Sequence, residues 1–381
     1  MNAFSDFNLL PTLQATLAEK GLVQPTEIQD RALPALLAGR SVVGVAETGS
    51  GKTLAYALPV LHRLKTLENQ GDPITVDSRP RAVVVVPTRE LGEQVSRVFK
   101  LYTHATRLRV RAVLGGTTME IARRNSRGAF DVLVGTPGRL LKLLDRSGLD
   151  FGDVRILIFD EADLMLDQGF RPDAHRIVKA CPPARQMGLF AATVSYAVQG
   201  MIADLFSEAE VIRSEGSHRL VPSLTTRNRI VPDGQRLPLL ENVLREKVDG
   251  GTLIFTNTRE QSDKLAEEVR AMGFACVVYR GEMDNVKRRA NLKTFREGGV
   301  DLLISTDLAS RGLDIAHVGR VINYHLPREM QNYLHRVGRT ARAGRPGLVV
   351  NFVTPRDQRL IGKLGNIQPD SRKPPSPWRP T

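Results

Sequence analysis

Residues 42–53 read VVGVAETGSGKT. Val42 to Ala46 is a short apolar run of the kind that forms a buried strand, and from Thr53 to Lys65 apolar residues recur at helical spacing. A strand, a Gly-rich loop and a helix in that order bring backbone N–H groups and the positive end of a helix dipole to bear on phosphate oxygens. Gly49 and Gly51 allow the loop to turn inward, with Thr48 and Ser50 completing it. Lys52 is expected to reach the β- and γ-phosphates of a nucleotide, and Thr53 to hold Mg²⁺ through its hydroxyl. Ala46 stands where the general pattern has its first glycine, so the assignment rests on the strand–loop–helix context; the plain alternative is a Gly-rich turn without a ligand.

The same alternation runs through the chain and predicts an α/β fold of mostly parallel sheets flanked by helices. In the first half the strand candidates are Val42 to Ala46, Ala82 to Val86, Val110 to Leu114, Val132 to Val134, Ile156 to Phe159 and Met187 to Phe190. In the second half they are Thr252 to Phe255, Phe274 to Val278, Leu302 to Ser305, Val318 to Asn323 and Leu348 to Val353. The chain has 381 residues, beyond the size at which one core usually stops growing, which predicts two domains. The segment 213–224 has turn residues and little periodicity and reads as a linker between domains 1–212 and 225–367. Leu67 to Pro80 reads as a surface loop, and the basic, Pro-rich tail 368–381, with the single Trp378, as disordered.

Hydrophobic residues at 41% and charged residues at 25% exclude disorder as the main state. The formal net charge of +13 favours a polyanionic partner, although basic chains without one are common. Cys181 and Cys276 fall in different predicted domains and read as inert core thiols. The start MNAFSDFNLL lacks the features of a signal peptide, and no run is long enough to cross a membrane, so a cytoplasmic location is expected.

Asp160-Glu161-Ala162-Asp163 follows the apolar run Ile156 to Phe159 directly. A carboxylate at the carboxyl end of a parallel strand faces the ligand crevice. Asp160 is therefore the expected Mg²⁺ ligand and Glu161 the residue that orients and deprotonates an attacking water. Without the strand before it, the tetrapeptide would read as a solvated helix start.

These two motifs together resemble the DEAD-box family of ATP-dependent RNA helicases, within helicase superfamily 2 and of the compact bacterial type, from Phe4 to about Thr354. The resemblance implies two tandem RecA-like domains. GLVQPTEIQ, Gly21 to Gln29, is similar to the family's adenine-reading motif, which implies that Gln29 bonds the adenine edge and Phe4 stacks on the ring, Phe7 being the neighbouring alternative. By resemblance, RNA is contacted by Pro87, Thr88 and Arg89 of PTREL, by Gly115 and Gly116, and by Thr136, Pro137, Gly138 and Arg139 of TPGR, each expected in a loop after a strand. In the second domain the corresponding residues are Thr256 and Asn257 of FTNT, Arg280 and Gly281, and Thr306. The resemblance also makes Asp314 the acid on the ATP ribose, and Arg339 and Arg342 of HRVGRTAR the arginines reaching the γ-phosphate. Asp163, Ala191, Thr193 and His335 fall at positions that couple the elements.

The implied partners are ATP, Mg²⁺ and single-stranded RNA or a short duplex, gripped by its backbone with little sequence preference. Ribosome-assembly or RNA-decay proteins are further partners by analogy, and a monomer without membrane contact is expected. Three departures stand out. Ala191-Ala192-Thr193 replaces the family's Ser-Ala-Thr, which predicts weaker coupling of hydrolysis to local unwinding; Arg280 replaces the usual His and Ala341 the usual Gly. Two other readings compete: a DNA helicase or translocase, and an ATP-gated RNA clamp that unwinds weakly.

Overall fold

The computed structural model describes residues 2–47, 49–146, 148–214, 224–232, 235–281, 283–307, 315, 317–341 and 345–365. The chain divides into two compact units, 1–217 and 218–381. Each is an α/β unit built on a parallel sheet.

In the first unit the strands are β1 (Val42–Val45), β2 (Ala82–Val85), β3 (Val110–Val113), β4 (Val132–Gly135), β5 (Ile156–Phe159), β6 (Gln186–Ala191) and β7 (Glu210–Arg213). They lie in the order β3-β4-β2-β5-β6-β1-β7, all pairs parallel. Five of the seven have every residue buried, because parallel strands are covered on both faces. Successive residues point to opposite faces, and the core splits accordingly. Val42, Val84 and Ile158 pack against α1 (Pro11–Glu19), α2 (Glu27–Leu37), α3 (Lys52–Asn69) and α4 (Arg89–Thr106). Val43, Val83 and Leu157 pack against α5 (Met119–Asn125), α6 (Pro137–Arg146), α7 (Ala162–Asp167), α8 (Arg171–Ala180) and α9 (Tyr196–Leu205).

The second unit holds β8 (Leu224–Ile230), β9 (Gly251–Thr256), β10 (Cys276–Tyr279), β11 (Leu302–Thr306), β12 (Val318–Asn323) and β13 (Gly347–Val353), in the order β10-β11-β9-β12-β13-β8. Its pairs are parallel too. One face packs against α10 (Arg236–Arg245) and α11 (Arg259–Ala271). The other packs against α12 (Asn285–Arg296) and the helices Met330–Val337 and Gln358–Gly365.

Every strand expected from an apolar run is present, with ends shifted by at most two residues. Strands β7 and β8 were not expected: each closes one edge of its sheet, and only Ile212 of β7 and no residue of β8 is buried. Both ends of the expected linker therefore belong to strands, Arg213 pairing with Val45 and Leu224 with Gly347. Helix α3 runs on to Asn69, so the expected loop at Leu67 starts after that residue. Cys181 and Cys276 are buried free thiols, and burial pushes the Cys181 thiol up to about 12. No helix among the described residues is long and apolar enough to cross a membrane. Trp378 and the rest of the tail lie outside the described residues.

Candidate functional site

The loop after β1 lies at the carboxyl edge of the first sheet, where ligands of open α/β sheets bind. Gly51, N-cap of α3, has φ +94°, and a Cβ there would lie 2.3 Å from Nε2 of Gln29. A left-handed backbone and a filled neighbourhood both require glycine. Gly49, at φ +89°, meets nothing within 4 Å, so that side of the loop is open. Ser50 Oγ donates to Glu47 O at 2.7 Å. Lys52 is buried, its Nζ donating to Ala46 O at 2.7 Å and Glu47 O at 2.9 Å while lying 3.8 Å from Glu161 Oε1. Thr53, next in α3, is half-buried. Thr48 lies outside the described residues.

Asp160 and Glu161 follow β5, two strands from β1 in the same sheet. Asp160 is 2% exposed; its Oδ2 accepts from Tyr56 OH at 2.7 Å and its Oδ1 from the Glu161 N–H at 2.9 Å. Burial, reinforced by the neighbouring Glu161 charge and opposed by Lys52, pushes the Asp160 carboxyl up to about 6. Burial likewise raises Asp163, whose Oδ2 accepts from both the N–H (3.1 Å) and the hydroxyl (3.0 Å) of Thr193. Glu161 sits at φ 50°, ψ 49°, a left-handed conformation that costs a non-glycine residue about 1–2 kcal/mol. This crowded, under-neutralised set of carboxylates suits a divalent cation. Among the described residues no cluster of three His, Cys, Asp or Glu forms a metal cage, and a Mg²⁺ held by one carboxylate, a hydroxyl and phosphate oxygens needs none.

Gln29 occupies N3 of α2, where its Oε1 accepts the Thr26 N–H at 2.9 Å and its Nε2 donates to Gly51 O at 3.0 Å. The side-chain amide thus caps its own helix and touches the phosphate loop at once. Phe4 and Phe7 are both buried, and the Phe4 N–H donates to Val23 O at 2.9 Å, tying it to the segment that leads to Gln29. Ala191 is fully buried at the end of β6, its carbonyl accepting the Ala46 N–H at 3.0 Å.

The expected RNA elements cluster beside the nucleotide elements on the same edge of the sheet, after β2, β3 and β4, which are neighbours. Two of the three are not simple loops. Thr88 is the N-cap of α4 and accepts from Leu91 N at 3.3 Å, while Pro87 precedes it; Pro137 opens α6, with Gly138 and Arg139 in its first turn. These segments therefore present helix N-termini, which suit phosphate. Gly115 donates its N–H to Thr136 Oγ1 at 3.0 Å, joining two of them. Arg89 donates to Gly116 O at 3.1 Å and Arg139 to Thr117 O, so both arginines brace the glycine loop.

In the second unit the pattern departs further from expectation. Thr256 is fully buried and shares its hydroxyl with Ser262 Oγ at 2.6 Å. Asn257 donates to Leu326 O at 3.0 Å and accepts from Arg336 at 2.8 Å. Both brace the loop after β9 from beneath. Arg280 pairs with Asp263 at 2.9 Å and also donates to Gly281 O, while Thr306 ends β11 and is 8% exposed. Arg339 is 2% exposed and donates Nε to the carbonyl of His335, itself buried, at 3.1 Å. Asp314 and Arg342 lie outside the described residues. Sequence reasoning missed Arg336. Its guanidinium bonds Asp307 twice, Asn323 Oδ1, His325 O and Asn257 Oδ1. It missed Tyr56 as well, for which a tyrosine on the buried face of α3 gives no signal.

Residues 26–201 match the family model described as DEAD/DEAH box helicase, and residues 235–344 that of the helicase conserved C-terminal domain. The chain is 34% identical to a Mycobacterium tuberculosis protein named ATP-dependent RNA helicase DeaD over 94% of its own length, and spans 62% of that relative. It is 32% identical to the DEAD-box ATP-dependent RNA helicase CshA of Geobacillus kaustophilus, covering 98% of this chain and 77% of the relative. Among solved structures it resembles S. cerevisiae Dbp5 bound to RNA and ADP BeF3, with TM-score 0.85, 26% identity, and coverage of 98% of this chain and 95% of that one.

Proposed function

The chain belongs to the DEAD-box helicase family, and from that premise we propose that it hydrolyses ATP on binding RNA and uses the cycle to remodel RNA locally. The observation that carries this reading is the convergence of Lys52, Asp160 and Glu161, all buried, at the carboxyl ends of β1 and β5. RNA elements after β2, β3 and β4 adjoin them on the same sheet edge.

In this mechanism Lys52 exchanges the carbonyls of Ala46 and Glu47 for β- and γ-phosphate oxygens. Thr53 and Asp160 would hold Mg²⁺, which when bound supplies neutralisation of charge on the phosphate oxygens. Glu161 accepts the proton of the attacking water. Gln29 presents an amide donor and acceptor to adenine, and a mismatched base would leave those groups unpaired, which favours ATP over GTP. Arg339 and Arg342 of the second unit reach the γ-phosphate on closure, a contribution that is typically about 10³–10⁵ in rate. RNA lies across the helix N-termini at Thr88 and Pro137 and the Gly115-Gly116 loop, held by its backbone.

Steady-state ATP hydrolysis with RNA or matched single-stranded DNA tests the reading. RNA alone should stimulate turnover, and Glu161→Gln should abolish hydrolysis while ATP-dependent RNA binding persists; stimulation by DNA to the same degree would reject it. Ala191 favours a second reading, an ATP-gated clamp with weak unwinding, because one hydroxyl of the coupling motif is missing. Ala191→Ser separates the two. In a helicase the restored hydrogen bond, worth on the order of 1 kcal/mol, should raise the duplex unwound per ATP.

A further inference from the structure

We infer that the outer edge of the first sheet, along β3, is a second RNA-contact surface that carries RNA flanking the strand held in the site. The inference rests on the RNA reading of the preceding section and extends it away from the nucleotide.

Residues 97–127 hold eight Lys or Arg against one Asp or Glu. All of the eight are exposed. Strand β3 is the terminal strand of its sheet, so one side of it faces no other strand. Arg107, Arg109 and Arg111 approach and enter β3, while Arg123 and Arg124 end α5 and Arg127 follows it; α5 packs beside β3. Asn125 Nδ2 donates to Ala112 O at 3.2 Å, fixing the end of α5 on the strand. The exposed arginines are therefore carried by adjoining elements, the terminal strand and the helix packed beside it.

This surface is continuous with the proposed RNA site. Two residues after β3 come Gly115 and Gly116, bonded to Thr136 and Arg89. From Leu108 to Leu114 the chain spans roughly 20 Å, about six phosphate repeats along one strand of a duplex. The predominance of arginine fits phosphate, which its planar fork engages in pairs. The bland alternative is that the charges guard an open sheet edge against pairing with another chain. Guarding accounts for Arg109 and Arg111 on the strand side, but not for Arg123, Arg124 and Arg127 at the end of a neighbouring helix. Arg109 is in addition held by Asp131 at 3.2 Å and is left out of the test.

The test uses the full chain with a non-hydrolysable ATP analogue and two RNAs, one just long enough to fill the site and one extended by ten or so nucleotides at either end. The triple variant Arg107→Glu, Arg111→Glu, Arg124→Glu is compared with wild type and with its Lys counterpart across a salt series. For the extended RNA the dependence of log K on log salt should flatten by about 2, three phosphate contacts at about 0.7 each on a single strand. The short RNA should bind as in wild type, and the Lys variant should restore the slope. Equal binding of the long RNA by wild type and the Glu variant overturns the second surface and leaves the RNA site standing. Failure of wild type to bind either RNA overturns both. Loss of short-RNA binding in the Glu variant, or of its unfolding temperature, would also count against a separate surface.

Discussion

The hydroxyl of Tyr56 shows how much a single unsuspected atom contributes to the acidic centre. It is fully buried and donates at 2.7 Å to Asp160, the carboxylate on which Mg²⁺ binding is proposed to depend. That donor favours the ionised carboxylate against burial and against Glu161. Tyr56→Phe leaves the ring packing against Phe190 intact and removes only the donor. A lost hydrogen bond to a buried charge costs about 1.5–3 kcal/mol. The expected outcome is lower stability of the first unit and a half-saturating Mg²⁺ concentration for ATP hydrolysis raised about tenfold, since about 1.4 kcal/mol is a factor of ten. A magnesium titration of the variant at constant ATP checks this, and a wild-type midpoint would remove Tyr56 from the site.

At the scale of elements, what was legible in the sequence was whatever leaves a local pattern. Strands β1 and β5 are continuous apolar runs because both their faces are covered, and the phosphate loop and acidic tetrapeptide follow them directly. Strands β7 and β8 leave no such trace, being edge strands whose side chains mostly meet solvent. Equally silent is the polar chain across the second sheet, where Asn351 donates to Asn228 at 2.9 Å and to Tyr333 OH at 3.0 Å, and accepts from Asn323 at 2.8 Å. Those asparagines are far apart in sequence and meet only through strand register. Arg336 closes the chain and spends all five of its N–H donors on Asp307, Asn323, His325 and Asn257. An ammonium offers three donors without the planar fork, so Arg336→Lys leaves buried acceptors unpaired. We expect it to destabilise the second unit by roughly 1–3 kcal/mol, the usual cost of leaving a buried polar group unpaired when the charge itself is kept. Urea unfolding followed by a probe in that unit checks the figure; a loss under 1 kcal/mol would mean that the network is dispensable.

For the whole molecule, the proposed mechanism places ATP against groups from both units, Lys52 and Glu161 from one and Arg339 and Arg342 from the other, and RNA is proposed to meet both as well, at Thr88 and Pro137 of the first and at Thr306 of the second. A ligand that orders the two units relative to each other lowers the cost left for the second ligand. Linkage then requires the effect to be reciprocal: if an ATP analogue tightens RNA by some factor, RNA must tighten the analogue by the same factor, typically 5–150-fold. Four dissociation constants decide it, RNA with and without analogue and analogue with and without RNA, measured at one salt concentration because RNA binding by a chain of net charge +13 would depend on salt. Arg339→Ala should shrink the common factor towards one. It should leave the affinity for the analogue alone nearly unchanged, because Gln29, the Gly49–Thr53 loop and Asp160 all belong to the first unit. If the variant instead weakens the analogue equally with and without RNA, Arg339 acts in nucleotide binding and not in closure. Two independent ligands with a coupling factor of one would leave no basis for a clamp driven by ATP.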